Sequence, residues 1–114
     1  MLYASFYRVH PEQVQALRDW MKQLELRRAE ALESYRQEGT RHELAYLIEG
    51  QAGPVLVYLA EVENPEKARA AFQRSQLPID LEHREIMHSV VSGRAEVELL
   101  YDCLVDRESR AAGT

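Results

Sequence analysis

Two hydrophobic periods alternate along the chain, one of two residues and one of three to four. Leu2–Val9 (LYASFYRV) has the period-two pattern of a strand, and both of its faces are largely apolar: Leu2, Ala4 and Phe6 on one, Tyr3, Tyr7 and Val9 on the other. A strand apolar on both sides needs cover on both. His10-Pro11-Glu12 then starts a helix, with proline where no amide donor is wasted and an acid at the positive end. Its stripe runs Val14, Leu17, Met21, Leu24, Arg28, Ala31, Tyr35, with Trp20 widening it and Gly39 placed for a left-handed cap. A continuous helix over 11–38 would be about 42 Å long, against about 27 Å for the eight-residue strand. The helix therefore overhangs its sheet or breaks near residues 25–28.

Residues 40–49 (TRHELAYLIE) and 55–62 (VLVYLAEV) read as two further strands, joined by the glycine-rich link 50–54 into an antiparallel hairpin. Asn64-Pro65-Glu66 opens a second helix, with Asn64 as N-cap, running to about Gln76. Leu77-Pro78 breaks it. A further helix over 80–91 takes Asp80 as N-cap, carries Ile86, Met87 and Val90 on its apolar side and ends at Gly93. Residues 95–104 (AEVELLYDCL) read as the last strand, and 106–114 as a frayed tail, so one domain covers 1–105.

Strand, helix, strand, strand, helix, extra helix, strand is the order of an α+β, ferredoxin-like βαββαβ fold: a four-stranded antiparallel sheet with helices on one face. The strands remain apolar on their second face, as Val55, Val57 and Leu59 illustrate against Leu56, Tyr58, Ala60 and Val62. A sheet face of that kind exceeds the few hundred Å² that a soluble monomer exposes. A homodimer with two sheets facing each other, a dimeric α/β barrel, is the expected remedy.

Composition narrows the function classes. The net charge of −5 and pI near 5.4, with no basic cluster beyond pairs such as Arg27-Arg28, argue against a nucleic-acid partner. No apolar run reaches the length of a membrane span, nothing near Met1 resembles a secretory leader, and the single Cys103 cannot form an intrachain disulfide; no membrane partner and a cytoplasmic location are expected. Cys103, inside an apolar run, is expected to be a buried, inert thiol. Phosphate-cradling glycine loops, serine-nucleophile elbows and CxxC pairs are all lacking, and no cofactor is implied.

The densest run of chemical side chains is residues 34–46, SYRQEGTRHELAY, where helix turns into strand. His42 and Glu43 are strand neighbours and must point to opposite faces, so they cannot act as a joined dyad. His42, ringed by tyrosines, fits a proton-transferring or binding residue, or a histidine hydrogen-bonded at the sheet's mouth. His83 shares an apolar helix side with Ile79, Met87 and Val90, and needs a partner for which His42 or Glu43 is available. Arg28 interrupts its apolar stripe and either pairs with a carboxylate or lays its stem along the stripe. Tyr3, Tyr7, Tyr46, Tyr58 and Tyr101 suit a pocket wall or a dimer interface equally. His42, Glu43, Tyr46, Tyr58 and His83 are the candidate ligand-binding residues. No histidine spacing supports a metal site.

YASFYRV, YRQEGTRHELAYLIE, GPVLVYLAE, LPIDLEHREIMHSVV and AEVELLYD together resemble an uncharacterised bacterial family, domain-of-unknown-function family 6176, over nearly the whole chain. That resemblance implies no catalytic residue. The likeness to dimeric α/β-barrel proteins is one of fold, and that fold hosts enzymes and plain binders alike. Three readings follow: a homodimeric domain binding a small apolar ligand, a cofactor-independent oxygenase or isomerase using a pocket histidine, and a purely structural or regulatory dimer.

Overall fold

The computed structural model describes residues 1–105; the expected tail, 106–114, lies outside them. The described residues form four strands and four α-helices: β1 (Leu2–Val9), a 3-10 turn (Pro11–Gln13), α1 (Val14–Leu26), α2 (Arg28–Glu38), β2 (Thr40–Gly50), β3 (Gly53–Val62), α3 (Pro65–Arg74), α4 (Pro78–Val90) and β4 (Val91–Arg94). The sheet is antiparallel throughout, in the order β2-β3-β1-β4.

The long first helix breaks, and the break is at Arg27. Its backbone leaves the helical region (φ −102°, ψ 42°), and α2 begins at the next residue. Neither proline nor glycine is responsible. The Arg27 side chain instead clamps the joint, reaching Glu30 at 2.8 Å and Glu82 of α4 at 2.7 Å. Arg28, expected either to pair with a carboxylate or to lay its stem along the stripe, is exposed. Folding the helix back keeps α2 over the sheet, which a straight helix would overshoot.

Gly39 ends α2 in the left-handed conformation (φ 75°), with its amide on the carbonyls of Tyr35 and Arg36. The β2–β3 hairpin turns on Gln51 and Ala52 alone, tighter than the five-residue link expected, because pairing extends to Gly50 and Gly53. Asn64 caps α3 as expected, accepting from the Lys67 amide at 3.0 Å.

Three expectations at the C-terminal end are corrected. Helix α4 starts at Pro78, not Asp80; Asp80 lies inside the first turn, is 3% exposed, and spends its carboxylate on another helix instead of a cap. Gly93 does not end that helix, since the chain passes from Val90 directly into β4, where Gly93 pairs with Arg8. The last described strand is Val91–Arg94, not 95–104: beyond Ala95, whose amide donates to Phe6 O at 3.1 Å, no ladder forms among the described residues. Cys103 is accordingly an exposed thiol outside any strand, not a buried one.

The core lies on one face of the sheet. Val9, Val14, Leu17, Leu56 and Val90 join β1, β3, α1 and α4, while Trp20, Ala31 and Ile79 join α1, α2 and α4. Ala60, Val62 and Ala68 seat α3 on β3. The other face carries Leu2, Leu44, Tyr46 and Ile48, between 37% and 62% exposed, with no layer over it among the described residues.

A side chain at position 39 would sit in a backbone region that costs L-residues roughly 1–2 kcal/mol, with its Cβ 3.3 Å from Glu63 Oε2. Gly39→Ala is therefore expected to lower the unfolding free energy by about that much in urea titrations. Gly39→Asn, which tolerates this region better, should lose less.

Candidate functional site

Strand register determines which side chains look toward the helices. On that face Tyr3, Ala60 and Glu43 form one cross-strand row, Ser5, Tyr58 and Ala45 the next, and Tyr7, Leu56 and Leu47 a third. Ser5 and Ala60 are small, as are Ala31 and Ala68 on the facing helices. Short side chains on both sides leave space where a larger set would interdigitate. The result is a cavity of about 570 Å³ between the sheet and α2, α3 and α4.

Its walls are aromatic and its polar groups cluster. The Tyr58 hydroxyl lies 3.0 Å from His83 Nε2 and 3.6 Å from Met87 Sδ. The imidazole is enclosed by Trp20 and Phe72, with ring centroids 5.4 and 5.3 Å away. Burial pushes the His83 pKa down to about 4, against a weaker upward pull from Asp80. At neutral pH the ring is uncharged and shares one hydrogen bond with Tyr58, whose direction is set by the imidazole tautomer. Burial raises the Tyr58 pKa well above the ordinary tyrosine value, with Glu43 adding to it.

Three carboxyl groups share this cavity. Glu43 receives the Tyr35 hydroxyl at 3.3 Å; burial raises its pKa and that hydrogen bond opposes the rise. Glu38 is pushed up to about 7, chiefly by burial, and also by Glu43 and Asp80. Ser34 Oγ lies 2.6 Å from Asp80 Oδ1 and 3.1 Å from Glu38 Oε2, while Thr40 donates to Glu38 Oε1 at 3.0 Å. Ser34 has one proton. Its hydroxyl donates to one of these carboxyls, and the second contact is a hydrogen bond when one carboxyl of the pair carries a proton and donates to Ser34. Burial favours the protonated form of Glu38, and the hydrogen bonds from Thr40 and Ser34 oppose it. Asp80 Oδ2 is buried with no hydrogen-bond partner among the described residues.

Of the five residues read from the sequence, the structure brings together Glu43, Tyr58 and His83. It places His42 and Tyr46 on the opposite, exposed face of the sheet, beside Glu61 and Val57. His42 does not meet His83; the partner of His83 is Tyr58. The cavity also lies between sheet and helices, not between two sheets. Missed from sequence were Ser34, Tyr35, Glu38 and Asp80. The first three follow Ala31 at the three-four spacing of α2, so the polar end of that stripe was the available signal; Asp80 was hidden by its resemblance to an N-cap. Among the described residues no group of three metal-ligating side chains occurs, and no helix is long and apolar enough to cross a membrane.

The shifted groups give pH dependences of opposite sign. Glu38 binds its proton more tightly folded than unfolded, so its contribution to stability is full below pH 4.5 and is lost as pH rises through about 7. His83 is the reverse: its contribution is full above pH 6.5 and is lost as pH falls through about 4. The urea midpoint of the native chain is expected to fall relative to that of Glu38→Gln between about pH 5 and pH 8; parallel profiles would sink the assignment. In NMR titrations the His83 ring should stay neutral down to about pH 4.

No curated protein and no solved structure matches the chain. A family model does, over residues 3–110, described as a family of unknown function, DUF6176. The match covers nearly the whole chain and reaches every residue of the cavity, and the chain belongs to that family.

Proposed function

We propose that this chain is a small-molecule-binding domain whose ligand occupies the cavity between the sheet and α2, α3 and α4. The observation that carries the proposal is the cavity itself. Its 570 Å³ falls in the range of small-ligand sites, and it combines aromatic walls with a few converging polar groups. Tyr3, Tyr58 and Phe72 suit a ring or an apolar body. Glu43 and Asp80, which only accept when ionised, suit a ligand that presents hydrogen-bond donors. A purely apolar ligand would leave these acceptors unanswered, at a cost of about 1–3 kcal/mol each. His42 and Tyr46, facing away, have no part in this site.

Proton transfer is the second reading, and one group favours it. Glu38 titrates near neutral pH, where a general acid or base is most effective. The chain Glu38–Ser34–Asp80 offers that proton a route along the inner wall. The Tyr58–His83 pair, uncharged at neutral pH, could orient a ligand carbonyl or hydroxyl. An isomerase-type or oxygenase-type reaction without a cofactor would draw on these groups.

The sheet order β4-β1-β3-β2 with helices on one face is the arrangement of a ferredoxin-like domain, which supports that classification. The uncovered apolar face supports a homodimer of the α/β-barrel kind, with the two sheets packed against each other and the cavities outside the interface. A structural dimer without a ligand would have no use for the cavity's buried carboxyls.

Native mass spectrometry of freshly purified protein is expected to show retained small-molecule mass. Ser5→Phe, which fills the cavity floor, should abolish retention with little change in Tm, and His42→Ala should leave it unaltered. If neither retention nor a thermal shift with a panel of amine- and hydroxyl-bearing aromatic compounds is found, the binding reading fails.

A further inference from the structure

The segment after β4 has no place on its own fold. Residues 95–105, AEVELLYDCLV, leave the sheet after one hydrogen bond, and Val97, Leu99, Leu100, Tyr101, Leu104 and Val105 stand 58–86% exposed. Their pattern is that of a strand. Val97, Leu99, Tyr101, Cys103 and Val105 fall on one alternating face and leave it wholly apolar, while Glu96, Glu98 and Asp102 fall on the other together with Leu100 and Leu104. An isolated apolar ribbon of this kind is a pairing element without a pair.

Continuing the β4–β1 register would set Glu96 beside Ser5 and Leu99 beside Leu2, so the chain's own β1 offers only residues 2–6. Half of the arm would overrun it. The other edge of the sheet is different. β2 is an eleven-residue edge strand, Thr40–Gly50, with no proline and a single irregularity at its start, and no strand pairs with its outer side among the described residues. Such edges are normally blunted or covered. The arm has the same number of residues, about 36 Å when extended.

We propose that the arm, residues 95–105, is exchanged between two copies of this chain and adds as a fifth strand to the outer edge of the partner's β2. Geometry favours a second copy over self-pairing: β4 and β2 lie at opposite edges of one sheet, but a twofold axis running along the strands sets β4 of one protomer over β2 of the other. The open faces then meet, and the apolar side of each arm continues the patch formed by Leu44, Tyr46 and Ile48. Area points the same way. Three strands about 4.8 Å apart and eight residues long present only about 400 Å², roughly half of what each partner contributes to a standard stable interface. The exchanged arms supply the remainder.

The proposal rests on the homodimer reading, and the experiment separates the two. Leu99→Asp with Tyr101→Asp alters side chains that are exposed in the single chain, so the fold survives, as an unchanged far-ultraviolet circular dichroism spectrum will show. Sedimentation velocity is expected to give a dimer for the native chain and a dissociation constant raised roughly tenfold or more for the double variant. Hydrogen exchange should show protection of the outward amides of β2 in the native chain and its loss in the variant. A dimer that the variant leaves unweakened, with unprotected β2 amides, overturns arm exchange while keeping the sheet-to-sheet dimer. A native chain that stays monomeric and protects residues 2–6 overturns both.

Discussion

A strand residue presents its side chain to one face of the sheet only, and the helices of this fold cover one face. Most of what is distinctive in the chain follows from that restriction. It sends Glu43 inward to Tyr35 and His42 outward beside Glu61, although the two are neighbours in sequence. It gathers Tyr3, Tyr7 and Tyr58 over one surface and leaves Leu44, Tyr46 and Ile48 on the other. The break at Arg27 serves the same division, because only a folded-back helix brings Ser34, Tyr35 and Glu38 over the inner face.

Inside the cavity, burial acts in opposite directions on acids and bases with one outcome. It raises Glu38, Glu43, Tyr35 and Tyr58 and lowers His83, and each shift favours the uncharged form. Three carboxyls in one pocket repel when all are ionised, and Glu38 is pushed up to about 7. Arg84 is committed elsewhere, its guanidinium held by the carbonyls of Phe72 and Ser75. The lining sets three carboxyl groups against Arg69, Arg84 and Arg94, and burial mutes the charge of its innermost groups.

Elements with a strong period or a strong punctuation mark were legible in the sequence. β1 has the bounds its alternation implies, the helix break falls where length made a straight helix implausible, and Gly39 and Asn64 cap as their chemistry requires. Tertiary context was not legible. Asp80 looks like an N-cap because acids favour helix starts, but its oxygen is taken by Ser34 from a helix 46 residues earlier. Residues 95–104 carry a strand's alternation, which records the capacity to pair and not the location of the pairing edge. His42 and His83 seemed able to meet because alternation separates faces without saying which face the helices cover.

β1 is an interior strand of the sheet, and both of its neighbours follow it in the chain. Leu2 is paired with Glu61, and Tyr7 with Arg94, so neither neighbour of β1 exists until most of the chain has been made. The β2–β3 hairpin, closed by a two-residue turn, has no such delay. Sequence separation explains the contrast: β2 and β3 are joined by a two-residue turn, whereas the partners of β1 lie far along the chain. Long-range closure of this kind slows folding, and an unpaired apolar ribbon such as Leu2–Val9 is the type of surface through which partly folded chains associate.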